Sequence, residues 1–146
     1  MLEADEMPEV LVRGANEPAV TVRLIDPRPY FDEKSFTIAV RGSGLTAQID
    51  RVTITPWDAP QLDEFFARLA TDYTGWDGTR TWRSNHLNIE AQFHAGGHVA
   101  LTWILQAHHL TEDRWQVRIT TMIEAGEQMT NLAADIRAFL RTDNER

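Results

Sequence analysis

The 146-residue chain has no cysteine. That excludes disulfides, thiolate nucleophiles, iron–sulfur ligation and cysteine-held zinc. Serine is scarce: only Ser35, Ser43 and Ser84 occur, and none sits in a Gly-x-Ser-x-Gly elbow. Lysine is almost missing, with Lys34 alone against 13 arginines, a bias that GC-rich coding accounts for. Basic charge is in deficit. Fourteen Lys and Arg face 22 Asp and Glu, for a net charge of −8. Phosphate backbones select the opposite balance, so no nucleic-acid partner is expected. No apolar run approaches the ~18–20 residues of a membrane span, so no membrane partner is expected either. The amino terminus, Met1 to Glu6, is acidic and lacks a basic-then-apolar signal pattern. A cytoplasmic location is the expectation.

Hydrophobic residues make up 42% and charged residues 25%, an ordinary globular composition. A chain of this length buries roughly 68% of its unfolded surface. It can therefore build a core without metal or disulfide support. Three segments are expected: an acidic, loosely ordered stretch over 1–18, a single domain over 19–141, and a frayed tail over 142–146. Within the first, Val10-Leu11-Val12 could still pair as a strand.

Alternation marks the strands. Val20, Val22 and Leu24 alternate with Thr21 and Arg23, and Asp26-Pro27-Arg28-Pro29 is expected to end that strand. Phe36, Ile38 and Val40 form the next, Gly42-Ser43-Gly44 turns it, and Leu45, Ala47 and Ile49 return. Val52 and Ile54 have the other parity, which predicts a bulge near Asp50-Arg51. Leu87, Ile89, Ala91 and Phe93 lead into the loop Ala95-Gly96-Gly97. A three-residue loop pairs Phe93 with Val99 and keeps Leu101, Trp103 and Leu105 on the core face. Trp115, Val117, Ile119 and Ile123 line the last strand.

Two helices follow from 3.6-residue periodicity. One is predicted over 58–74, with the stripe Leu62, Phe65, Phe66, Leu69, Tyr73 and with Asp58 as cap. The other runs from about Glu127 to Leu140, with Met129, Leu132, Ala133, Ile136 and Leu140 inward. Short connections between strands favour antiparallel pairing. The fold class is α+β: a mostly antiparallel sheet of about six to seven strands with two amphipathic helices packed on one face. At an offset of 67, Leu62, Phe65 and Leu69 meet Met129, Leu132 and Ile136. A duplicated strand–helix unit or two independent amphipathic helices would each give that match.

Candidate sites are few, and each has a plain alternative. His94 and His98 face each other across the hairpin, with Glu90 and His86 on the same polar face. They could hold a divalent metal, or be solvated hairpin histidines. His108-His109 point apart and make a poor metal pair. The run from Trp76 to Ser84 is the most unusual composition. Trp76, Asp77, Arg80, Trp82 and Arg83 could form a recognition surface, since Trp and Arg dominate interface energetics. Alternatively Trp82 is buried and Asp77 pairs with Arg80. Trp57 and Trp76 flank the first helix and are expected to close the ends of the core. No catalytic constellation emerges, and no cofactor is implied.

The run from Gly75 to Ser84, the strand Leu87 to Phe93, Gly97-His98-Val99-Ala100-Leu101, Glu124 to Met129, and Leu132 to Leu140 resemble an uncharacterised family of short bacterial proteins. The resemblance spans about residues 20–141. The layout is also similar to WapI-type immunity proteins, which protect a bacterium from a nuclease toxin. That likeness rests on a helix after a hairpin, a Gly-His-Val lead-in to a strand, and a terminal helix. Small size, the missing catalytic set and cysteine, the acid excess and the Trp/Arg-rich run lead to a non-enzymatic cytoplasmic protein-binding domain, immunity-like in the form the resemblance implies, docking on a basic, toxin-like partner. A small-ligand or metal-binding protein using the face around His94 and His98 is the alternative. A homodimer formed through an open sheet edge is a third.

Overall fold

The structure is a computed structural model, and it describes residues 8–15, 17, 19–30, 32–108, 112 and 114–141. The elements are β1 (Glu9–Arg13), β2 (Thr21–Tyr30), β3 (Glu33–Gly42), β4 (Leu45–Ile54), α1 (Leu62–Thr71), β5 (Thr79–Arg83), β6 (Leu87–His94), β7 (His98–Gln106), β8 (Gln116–Glu124) and α2 (Glu127–Arg141). The broad α+β class holds. The expected single sheet of about six to seven strands does not. Eight strands form two four-stranded antiparallel meanders, β1-β2-β3-β4 and β5-β6-β7-β8. Alternation reports which face of a strand is buried, and is silent on which strands share a ladder.

Local registers follow the side chains closely. Opposite Thr37, β4 carries the extra residue of a bulge, because Phe36 pairs with Val52 and Ile38 with Ile49. The two residues between are Asp50 and Arg51, where the parity changes. The bulge is pinned at the Asp50 carbonyl, which accepts from the Thr37 hydroxyl at 3.1 Å and from the Arg28 guanidinium. Asp26-Pro27 does not end β2, contrary to expectation. It forms a second bulge between the pairs Ile25–Thr37 and Arg28–Ser35. Asp26 takes a left-handed φ of 55°, and a bulge can hold a proline that a regular ladder cannot.

Helix α1 is shorter than its apolar stripe. It begins at Leu62, after a cis Ala59–Pro60 peptide, and ends at Thr71. Gln61 is the cap, and its backbone N–H donates to the Glu64 carboxylate at 2.9 Å. Asp58 is occupied one turn earlier. Its carboxylate accepts from the Thr55 N–H at 3.0 Å and the Thr55 hydroxyl at 2.7 Å. Tyr73 falls beyond the helix and is exposed, as is Trp115 ahead of β8. Helix α2 starts where expected. The Glu124 carboxylate accepts from the N–H groups of Gly126 and Gln128, and the Gln128 side chain accepts from the Glu124 N–H.

The two halves repeat one layout, four meandering strands and a helix, and they interlock. The loop after β1 reaches the far edge of the second sheet, where the Ala15 N–H donates to the Met122 carbonyl at 2.9 Å. The loop after β5 does the reciprocal thing, with Asn85 Oδ1 accepting from the Thr53 N–H of β4 at 3.1 Å. The helices cross over as well. Phe66 of α1 stacks on Trp103 of β7, centroids 6.0 Å apart. Phe139 of α2 meets Phe36 of β3 edge-on at 5.8 Å. Lys34 of β3 donates to the Leu140 carbonyl near the end of α2. One continuous core results, running from Val10 and Val12 of β1 to Leu140 of α2. Each fully buried Leu, Ile or Phe in it contributes about 1.5–3 kcal/mol relative to exposure.

Candidate functional site around the fifth strand

Strand β5 is an edge strand, paired only with β6. Gly75 and Gly78, at φ 119° and 78°, turn the chain from α1 into it. Its residues alternate between the sheet's two faces. That sends Arg80 and Trp82 inward and leaves Thr79 and Arg83 exposed.

Two of the five expected recognition residues, both tryptophans, pack against the core. Trp82 is buried, and its indole N–H donates to the Pro60 carbonyl at 3.1 Å. Trp76 is partly buried. Its indole N–H reaches the Ala91 carbonyl at 3.3 Å, and its ring meets Phe93 edge-on at 5.4 Å. Arg80 does not pair with Asp77. Its guanidinium lies 4.5 Å from the Trp76 centroid and 2.7 Å from the carboxylate of Asp72, the residue that caps α1. The Asp72 carboxylate and the Trp76 face take the guanidinium in place of the sequence neighbour Asp77. With side chains 33% and 43% exposed, this ion pair contributes at most about 1 kcal/mol. Asp77 and Arg83 remain exposed.

Trp57 does not close the core as expected and is instead 74% accessible, more than Tyr73 or Trp115. Thr55, Pro56, Trp57 and Asp58 form a tight turn, with the Asp58 N–H donating to the Thr55 carbonyl at 3.2 Å. The Gln61 amide braces it from below, donating to the carbonyls of Thr55 (3.0 Å) and Asp58 (2.8 Å). Trp57 sits at the third position of that turn, so it projects away from the core. The signal is present as Thr-Pro-x-Asp, a turn with proline second. Between this turn and β5 lies an open groove of about 470 Å³, lined by Trp57, Asp58, Pro60, Thr81, Trp82 and Arg83 among others.

The histidine hairpin folds as the spacing requires. Phe93 pairs with Val99 and His94 with His98, while Gly96 and Gly97 adopt φ 95° and 82° in the loop. The expected ligands do not converge. Glu90 lies four residues from His94, about 13 Å along a strand. Its carboxylate faces the Arg118 guanidinium at 3.5 Å. His98 faces Glu124 across β7 and β8. The Glu124 carboxylate is held below its usual range, first by the Gln128 N–H, then by that of Gly126, with a smaller contribution from the charge of His98. His86 lies at the far end of β6, where Nδ1 is 3.0 Å from the Gln106 carbonyl and the ring meets His108 edge-on at 5.6 Å. His109 lies outside the described residues. Among the described residues, no three His, Asp or Glu side chains are placed to hold a metal ion. No helix among them is long and apolar enough to cross a membrane.

No curated protein and no solved structure matches the chain. A family profile does, over residues 13–143, from the last residue of β1 onward through α2. That match takes in β2 to β4 and all of the second half, and the chain therefore belongs to the family of unknown function DUF6228.

Proposed function

We propose that this domain is a non-enzymatic binding protein whose contact surface is the groove between the Trp57 turn and β5. The observation that carries this is Trp57 itself: a large aromatic, 74% exposed, displayed on a turn braced by its own hydrogen bonds. Exposed tryptophan on a rigid support is what interface hot spots use, because little side-chain freedom is lost on binding. Arg83 lines the same groove and offers a planar guanidinium as a second anchor.

The net charge of −8 favours a basic partner and speeds its approach. An immunity-like role against a basic toxin is the specific form of this reading. It is supported by the acidic surface, the absence of a thiol or serine-elbow nucleophile, and the resemblance in layout to WapI-type immunity proteins. A cytoplasmic location fits that role.

The test is affinity capture from host lysate with wild type and Trp57→Ala side by side, at low and high salt. The expected result is one stoichiometric basic protein, held about 30-fold or more weakly by the variant, as for a hot spot of about 2 kcal/mol or above. Its association should slow as salt rises. Retention indifferent to Trp57→Ala would remove this surface. Capture of an acidic partner would remove the electrostatic part of the reading.

A further inference from the structure

Strand edges expose unpaired backbone groups, and a sheet edge without protection recruits another strand. Four edges bound the two sheets: β1 and β4 in one, β5 and β8 in the other. Two are guarded. Edge β4 is bulged at Asp50-Arg51 and takes Asn85 on Thr53. Edge β8 receives Ala15 on its Met122 carbonyl. Edge β5 borders the open groove beneath the Trp57 turn, the surface already proposed for a partner. Edge β1 is neither bulged nor given a backbone hydrogen bond from outside its ladder among the described residues, although α2 lies beside it across a small groove lined by Pro8, Glu9, Asp135, Ala138 and Phe139. It is a regular five-residue strand with no proline, glycine or lysine, Glu9-Val10-Leu11-Val12-Arg13.

The sequence of β1 is complementary to itself when run antiparallel. A two-fold axis at Leu11 places Glu9 opposite Arg13 of a second copy, Val10 opposite Val12, and Leu11 opposite Leu11. Residues opposite one another share a face. The outer face therefore carries an ion pair, an apolar pair and a second ion pair. The inner face continues the valines of the core, since Val10 and Val12 are both buried. Leu11, at 45% exposure, gains an apolar neighbour. The Arg13 side chain has no ion pair within its own chain among the described residues, whereas Glu9 already holds Arg23 at 2.9 Å. A carboxylate has acceptor capacity for both guanidiniums. The same operation on β5 sets Arg80 against Trp82 and Arg83 against Thr79, with no opposite charges to match.

We infer that the chain forms a two-fold symmetric homodimer by antiparallel pairing of β1 with β1 of a second copy, joining two four-stranded sheets into one of eight. The surface is separate from the Trp57 groove, and the inference does not depend on that reading. A single five-residue edge makes a small interface, so the dimer is expected at micromolar affinity or weaker.

Sedimentation equilibrium up to about 1 mM chain tests it. Twice the 16.7 kDa chain mass is expected at the upper end. Arg13→Glu sets acid against acid at both ends and should raise the dissociation constant at least about tenfold. Glu9→Arg should do the same, and an equimolar mixture of the two variants should associate again, because each then supplies the other's missing charge. The absence of cysteine gives an independent readout. Opposed Cα atoms in an antiparallel pair lie about 4.5–5.5 Å apart. That is within disulfide reach. Leu11→Cys should thus cross-link to a dimer on mild oxidation, while Leu45→Cys, an exposed control in the β3–β4 hairpin, should not. Circular dichroism checks that each variant is folded. A 16.7 kDa species at every concentration would overturn the inference. So would a dimer that ignores Arg13→Glu and leaves Leu11→Cys reduced.

Discussion

Thr121→Val tests the polar contact at the centre of the core. Thr121 and Trp103 are both fully buried, on neighbouring strands β8 and β7. The Trp103 indole N–H donates to the Thr121 hydroxyl at 3.0 Å. Trp103 also carries the stack with Phe66 that seats α1. Valine matches threonine in shape, so the substitution leaves almost no cavity. What it removes is the acceptor. The indole N–H would then be buried without a partner, which costs about 1–3 kcal/mol. At about 2–4 °C per kcal/mol for a domain near this size, the melting temperature should fall by roughly 2–12 °C. Thr121→Ser keeps the hydroxyl and loses one methyl, about 1 kcal/mol. In the Trp103→Phe background there is no N–H to strand, so Thr121→Val should be close to neutral there. Urea unfolding of wild type, the two single variants and the double variant measures the coupling directly. Thr121→Val as stable as wild type, or equally harmful in the Trp103→Phe background, would refute the assignment.

Phe66→Ala should destabilise the whole chain by about 3–5 kcal/mol, and the transition should stay single, because α1 packs on the other half's sheet; two separate calorimetric transitions would show that the halves fold independently. Gly97→Ala forces a side chain onto a φ of 82° and should cost about 1 kcal/mol or more in thermal melts. The Glu124 carboxylate sits below its ordinary range because it accepts the N–H groups that open α2. Its contribution is present above the unfolded-state value and is lost as pH falls through the folded one. Glu124→Gln should therefore differ from wild type near neutral pH and converge with it in acid, read from melting temperature against pH. A difference that grows on acidification would contradict that sign.

How much of the site is legible in the sequence follows from where each cause lies. The histidine hairpin is readable because loop length alone sets its register. Phe93 and Val99 must pair once Ala95-Gly96-Gly97 closes the turn. The bulge at Asp50-Arg51 is readable because a change of parity along one strand requires an extra residue in the ladder. The exposure of Trp57 runs against its hydrophobicity because a turn decides it. The partner of Arg80 is hidden from sequence reading because Asp72 is eight residues away and comes close only when α1 ends beside β5.

The amino-acid sequence by itself determined the pieces: the strand alternation, the two apolar helix stripes, the glycine turns, the acid excess and the absence of thiol chemistry. These are local or compositional, and backbone sterics with side-chain periodicity suffice to specify them. Only the tertiary structure decided that eight strands divide into two sheets and that each helix reaches across to the other half. Those outcomes depend on contacts between residues far apart in the chain. Hydrophobic burial drives them, and it is non-directional. The pattern of apolar residues therefore says which faces must be covered, and the packing of the assembled elements settles what covers them.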